Sequence, residues 1–146
     1  MEIPKISLEE AEWNAMCFGC GKENKHGLHM KFHQEDSGTV KSEFTPGENH
    51  QGWPGYIHGG ILMTVMDEAI GWTGHLNNIY SVTAKIDVRL RSMVRVGEPL
   101  TVSARITKQT SRTLEVQAKI TRPDSSLVAE ASSLQFIIQP PKNDRF

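Results

Sequence analysis

The spacing of hydrophobic positions changes along the chain, and each change marks an element. Leu28, Met30 and Phe32 alternate with His29, Lys31 and His33, and after Asp36-Ser37-Gly38 the alternation resumes over 39–44. A period of two interrupted by a turn-forming tripeptide predicts a β-hairpin. From 61 to 77 the spacing switches to three and four. Ile61, Leu62, Val65, Met66, Ala69, Ile70 and Trp72 gather on one side of a 3.6-residue helix, with no proline and no glycine before Gly71. Four later stretches, 80–91, 99–110, 113–122 and 127–138, read as strands, broken at 96–99, 111–112 and 123–126 by turn-forming residues. Short links between consecutive strands predict antiparallel pairing.

Two strands, one long helix and four strands make an α+β chain, and the helix can bury its apolar stripe only against the concave face of the sheet. The expected architecture is an antiparallel sheet of about six strands wrapped around one central helix. A length of 146 residues fits one domain, 1–146, with 1–27 as an N-terminal arm and loop and 140–146 as a tail. Within 1–14, Ile3, Ile6, Leu8, Ala11 and Trp13 between acids predict a short amphipathic helix or a packed arm.

Composition removes several classes of function. A formal net charge of -1 with 23% charged residues gives no basic excess for a nucleic-acid partner. No apolar run reaches the roughly 18 to 20 residues that span a bilayer. Glu2, Glu9, Glu10 and Glu12 stand where a targeting segment would be basic and then apolar, so a cytoplasmic protein without membrane association is expected. Cys17 and Cys20 alone do not make a secreted disulfide framework.

The chemistry concentrates around the start of the helix. Residues 46–60 hold five glycines, two prolines and two histidines, a composition for a shaped loop, and end in His58-Gly59-Gly60. Two glycines at a helix N-terminus let another atom approach the backbone, and the free N–H groups with the helix dipole suit a developing oxyanion. The plainer reading is a tight turn and cap. Asp67 lies inside an otherwise apolar helix, where aspartate has poor propensity and burial of its charge is costly. Its plainer reading is a solvated residue on the polar edge. Glu68 is about 100° further around the helix, so only one of the two acids can face a site. Either acid could be the one that does, and the other is then expected to be exposed or paired with a base.

Gly59 and Asp67 are eight residues apart, about 12 Å along a helix at about 1.5 Å per residue. One substrate atom cannot touch both. If they cooperate, the acid comes from a second copy lying antiparallel across a two-fold axis, so a homodimer is expected, open to pairing into a dimer of dimers.

The run from His58-Gly59-Gly60 through Asp67-Glu68-Ala69, with Val82-Thr83-Ala84-Lys85-Ile86-Asp87-Val88-Arg89-Leu90 and Val96-Gly97-Glu98-Pro99-Leu100 behind it, resembles the hot-dog thioesterases of the phenylacetate-degradation and 4-hydroxybenzoyl-CoA type. Cys17-Phe18-Gly19-Cys20-Gly21 with Gly27-Leu28 is similar to the N-terminal signature of one branch, and the matches together cover about 17–138. The resemblance implies a hot-dog fold, an acyl-CoA thioester substrate and hydrolysis without a cofactor. It places the oxyanion donor on the Gly59 N–H and the general base or nucleophile on Asp67. His58 is then expected to shape the loop. Thr83, from the subunit that supplies the acid, is expected to orient acid or water. Relatives that carry Asn or Gln seven residues before the oxyanion glycine have no counterpart here, since that position is Gly52. Gln51, Asn49 or His50 are the candidates to replace it.

Gly60, Trp53, Tyr56 and Met63 are further candidates to line the substrate site, with Met66 and Trp72 behind them. Aromatic and Met residues beside a helix are as readily plain core. Arg91, with Arg89, Arg95 and Lys108, is a candidate for the CoA phosphates, against a solvated strand face. Cys17-x-x-Cys20 with His26 and His29 has a spacing open to zinc, but the preferred reading is a compact loop with free thiols and no metal. Two other functions stay open. One is a hydratase or dehydratase of acyl thioesters, with His50 as its loop histidine. The other is a non-catalytic acyl-CoA-binding module.

Overall fold

The computed structural model describes residues 15–138. The amphipathic arm expected over 1–14 and the tail expected over 140–146 lie outside the described residues. Element order is β1 (His33–Gln34), β2 (Val40–Phe44), a 3-10 turn (Glu48–His50), α1 (Gly59–His75), β3 (Ser81–Leu90), β4 (Leu100–Gln109), β5 (Thr113–Thr121) and β6 (Leu127–Ile137). All six strands join one antiparallel sheet in the order β1-β2-β4-β5-β6-β3. One helix held by such a sheet is the architecture of the hot-dog fold.

Strand order departs from the expectation that consecutive strands pair. β3 and β4 are not neighbours: β3 pairs with β6 at one edge, and β4 lies between β2 and β5. The 91–99 connection crosses the sheet instead of turning back. Arg91 and Ser92 N–H groups still donate to Val128 C=O, and the Val96 and Gly97 N–H groups donate to Gly55 and Pro46 C=O in the loop before the helix. The crossover is thereby tied to the helix-entry loop, which takes a two-residue turn out of the question.

α1 starts two residues before the apolar stripe because His58 caps it. His58 is extended (φ -63, ψ 131) and its Nδ1 accepts the Gly60 N–H at 2.9 Å, which satisfies one of the donors a helix start leaves open. At the other end the chain turns tightly, and a Cβ on Gly74 would fall 2.6 Å from Ile79 C=O. Leu62, Val65, Met66, Ala69, Ile70, Thr73 and Gly74 are the buried positions of α1. They pack on the inward residues of the sheet, among them Leu100, Val102, Leu114, Val116, Ile120 and Ala129. Met66 is core and Trp72 is only partly buried, stacked on Phe32 at 5.4 Å.

Candidate active site

The stripe of α1 that the sheet leaves uncovered carries Gly59, Met63 and Asp67 at intervals of four. Met63 and Asp67 are exposed, and with Thr64, Thr83, Ile86 and Val88 they line an open cleft of about 420 Å³ between the helix and β3. The larger concavity, about 1520 Å³, is on the opposite face of the sheet among Lys41, Arg89, Arg105 and Lys119. It contains no residue of α1.

Thr83 reaches Asp67 because β3 is irregular at that point. Register against β6 runs Thr83↔Gln135 and then Lys85↔Leu134, so Ala84 is an extra residue. Strand side chains alternate, and an inserted residue exchanges the faces beyond it. Ile86 and Val88 face the helix; in an unbroken strand Ala84 and Val82 would follow them and Thr83 would point away. The bulge turns Thr83 inward instead, and its hydroxyl donates to Asp67 Oδ1 at 2.7 Å.

Beneath Thr83 lies a polar chain inside the core. Gln135, 1% exposed, donates from Nε2 to Thr83 Oγ1 at 3.1 Å and to Ser133 Oγ, and Ser133 Oγ donates to Lys85 C=O at 3.0 Å. Thr83 has one proton. Gln135 Oε1 is also within its reach at 3.3 Å, but the charged Asp67 oxygen at 2.7 Å is the nearer acceptor and takes the proton. Sequence reasoning passed over Gln135 and Ser133. The signal was present, because both are polar at positions of β6 whose alternation points inward.

At the helix start, no acceptor among the described residues takes the Gly59 N–H, whereas Gly60 N–H is held by His58 and Ile61 N–H by His58 C=O. Leu90 lies against Gly59, its Cδ1 3.0 Å from where a Cβ there would sit. Gly59 and Asp67 belong to one helix and are separated along it, so a single chain brings Asp67, Thr83 and Met63 together and leaves Gly59 apart.

The neighbouring loop is internally bonded. His50 Nδ1 accepts Gly47 N–H at 3.0 Å and its C=O accepts His58 N–H at 2.9 Å. Gln51 Nε2 donates to Glu48 C=O at 2.8 Å while its Oε1 accepts Gly55 N–H. Asn49 is exposed, and Trp53 is 77% exposed. Tyr56 lies under Arg95, 5.4 Å from ring to guanidinium. Arg91, just past the end of β3, pairs with Glu130 of β6.

Glu68 differs from expectation. It is partly buried, and no lysine or arginine among the described residues pairs with it. Its Oε1 accepts from Trp72 Nε1 at 3.1 Å, and Cys17 Sγ lies 3.5 Å from both its oxygens. Cys20 joins the same group, while His26 and His29, the other residues of the zinc spacing, do not. His29 Nε2 bonds Asn24 C=O. Burial and then the Glu68 carboxylate push the Cys20 thiol well above the usual range.

Residues 54–129 match the model of the thioesterase superfamily. An acyl-coenzyme A thioesterase THEM4 of Bos taurus is 27% identical over 143 residues, covering 96% of this chain and 59% of that protein, so the chain spans about three fifths of the length of this curated relative. Among solved structures, the Escherichia coli PaaI protein from the phenylacetic acid degradation operon superposes with TM-score 0.72 at 18% identity, covering 77% of this chain and 82% of that one. A Streptococcus pneumoniae hypothetical thioesterase with coenzyme A superposes with TM-score 0.71 at 19% identity, covering 77% and 88%. That protein was also crystallised with an aspartate and a threonine, sixteen positions apart, each replaced by alanine.

Proposed function

Because the chain belongs to the thioesterase superfamily, we propose that it hydrolyses acyl-CoA thioesters in a site that two copies of the chain build together. Asp67 delivers water, or its own carboxylate, to the thioester carbonyl carbon, and the Gly59 N–H of the second copy stabilises the oxygen that becomes negative. The observation that carries this reading is the pairing of a directed carboxylate with an open amide donor on one exposed stripe. Thr83 donates to Asp67, and the Gly59 N–H has no acceptor among the described residues. The sixteen-residue spacing of Asp67 and Thr83 is also that of the two positions replaced in the Streptococcus pneumoniae thioesterase.

The two-copy arrangement follows from where these groups lie. Met63 is midway between Gly59 and Asp67, four residues from each. A two-fold axis passing at Met63 sets the helices antiparallel and puts Gly59 of each copy opposite Asp67 of the other. Met63 and Leu90, 41% and 42% exposed, supply apolar surface for such a contact. β3, ten residues long, is the sheet edge beside that stripe among the described residues and offers its backbone to the same neighbour. The coenzyme A that accompanies the Streptococcus pneumoniae structure supports a CoA-linked substrate.

The test is release of free thiol from a panel of aliphatic and aromatic acyl-CoAs. Wild-type chain is expected to release CoA well above background. Asp67→Asn, which keeps the shape and removes the charge, is expected to lower kcat by about 100-fold or more with unchanged thermal unfolding. An Asp67→Asn chain of wild-type activity removes the assignment. Tight acyl-CoA binding without thiol release points to a binding module instead.

A further inference from the structure

On the flank of α1 away from the cleft, three ligand-forming groups converge that the proposed hydrolysis does not use. We propose that Cys17, Cys20 and Glu68 bind a zinc ion that fastens the 15–30 loop to the middle of α1. Their ligand atoms all lie within 4.8 Å of one another and all three residues are partly buried. In a tetrahedral site with sulfur at about 2.3 Å and oxygen at about 2.0 to 2.2 Å, the sulfur-to-oxygen edge is about 3.5 to 3.7 Å. Cys17 Sγ stands 3.5 Å from each Glu68 oxygen.

The surroundings are those of a supported site. The Cys17-x-x-Cys20-Gly21 segment closes as a turn, Gly21 N–H donating to Cys17 C=O at 2.8 Å. Leu28 and Met30 N–H groups tie it from the far side to Phe18 and Gly19 C=O at 2.7 and 2.9 Å. Gly19 admits the carboxylate, since a Cβ there would be 2.4 Å from Glu68 Cδ and Oε2. Trp72 Nε1 holds Glu68 Oε1 at 3.1 Å, as partners of metal-binding carboxylates do.

Charge gives the reason for a cation. Two thiols and a carboxylate share this space, and no lysine or arginine among the described residues pairs with Glu68. Zinc binds cysteine as the thiolate and displaces the thiol proton. Two sulfurs and one oxygen suit zinc among divalent ions, and water completes the fourth position. The two cysteines and Glu68 are about fifty residues apart in sequence, Cys17 and Glu68 by 51, so the ion closes a long loop. It does so at the residue beside Asp67.

The experiment is zinc stoichiometry and affinity of the reduced full chain. Elemental analysis of protein purified without chelator is expected to give one zinc per chain. Stripped protein titrated with zinc chloride against a chromophoric competitor is expected to recover it, more weakly as pH falls. Cys17→Ser and Cys20→Ser are expected to lower the affinity by about 100-fold or more, and Trp72→Phe, which removes the Nε1 donor to Glu68 and keeps an aromatic ring beside Phe32, by about 10-fold. Cobalt in place of zinc is expected to give a tetrahedral thiolate spectrum in the wild type and in Trp72→Phe. Should the serine variants not fold, Glu68→Gln and the cobalt spectrum of the wild type still decide. Reduced wild-type chain that titrates as two free thiols and takes up no zinc overturns the proposal. So does purified chain in which Cys17 and Cys20 form a disulfide whose reduction creates no zinc binding, or affinity unchanged by Cys20→Ser.

Discussion

Thr83 Oγ1 donates a hydrogen bond to Asp67 Oδ1 at 2.7 Å, and a bulge at Ala84 is what turns it that way. A hydrogen bond to a charged group contributes about 1.5 to 3 kcal/mol, or about 10- to 100-fold in rate if it is needed in the transition state. Thr83→Val is therefore expected to lower kcat by about 10- to 100-fold, and Thr83→Ser, which keeps the hydroxyl, to retain most of it. Steady-state kinetics of the two variants on one acyl-CoA checks this.

Gln135 sets the direction of that bond without touching the cleft. Its Nε2 donates to Thr83 Oγ1 at 3.1 Å from a buried position. Gln135→Leu frees the Thr83 hydroxyl to rotate while filling most of the same volume. We expect kcat to fall by about 10-fold with little change in KM, and unfolding to shift little beyond the cost of leaving Ser133 without its donor. A variant that loses stability but keeps kcat would make Gln135 purely structural.

The crossover before β4 carries a pH-sensitive clamp. Arg122 donates from Nε to Glu98, from Nη1 to Ser92 Oγ at 3.0 Å and from Nη2 to Met93 C=O at 3.0 Å. Its guanidinium, with the Arg95 N–H, holds the Glu98 carboxyl below the usual carboxylate range. A carboxyl whose folded value is depressed adds stability above its unfolded value and loses it as pH falls through the folded one. The pair is about a quarter exposed, and an ion pair open to solvent contributes up to about 1 kcal/mol. Glu98→Gln is expected to lower Tm near neutral pH, and the gap to wild type to close as pH drops through the carboxylate range. Thermal melts of both chains across pH measure it.

Much of this was legible because it is local. The 3 and 4 spacing from Ile61 to Ile70 marks α1, and the alternation of β4 and β5 marks the buried face. The strand order was not legible, because the 91–99 crossover is fixed by distant hydrogen bonds to Pro46 and Gly55 rather than by turn residues of its own. Thr83 came into view through resemblance alone; plain alternation would turn it away from Asp67, since one inserted residue is silent in sequence. Glu68 was expected at the surface or beside a base. Its partners are Trp72, one helical turn on, and two cysteines of a loop far back in the chain, and no helical periodicity reports the cysteines.

The central claim, that one chain's amide and the other's acid serve one carbonyl, is tested by mixing two inactive chains. Gly59→Pro removes the N–H yet suits the first turn of a helix, and His58 before it is already extended. Asp67→Asn removes the acid. Each alone is expected to be inactive. Co-refolded in equal amounts, half the dimers are mixed and each has one intact site, so about a quarter of wild-type activity is expected to return. Mixed dimers that form and stay inactive, or a separated wild-type monomer that hydrolyses thioesters at the full rate, would contradict the shared site.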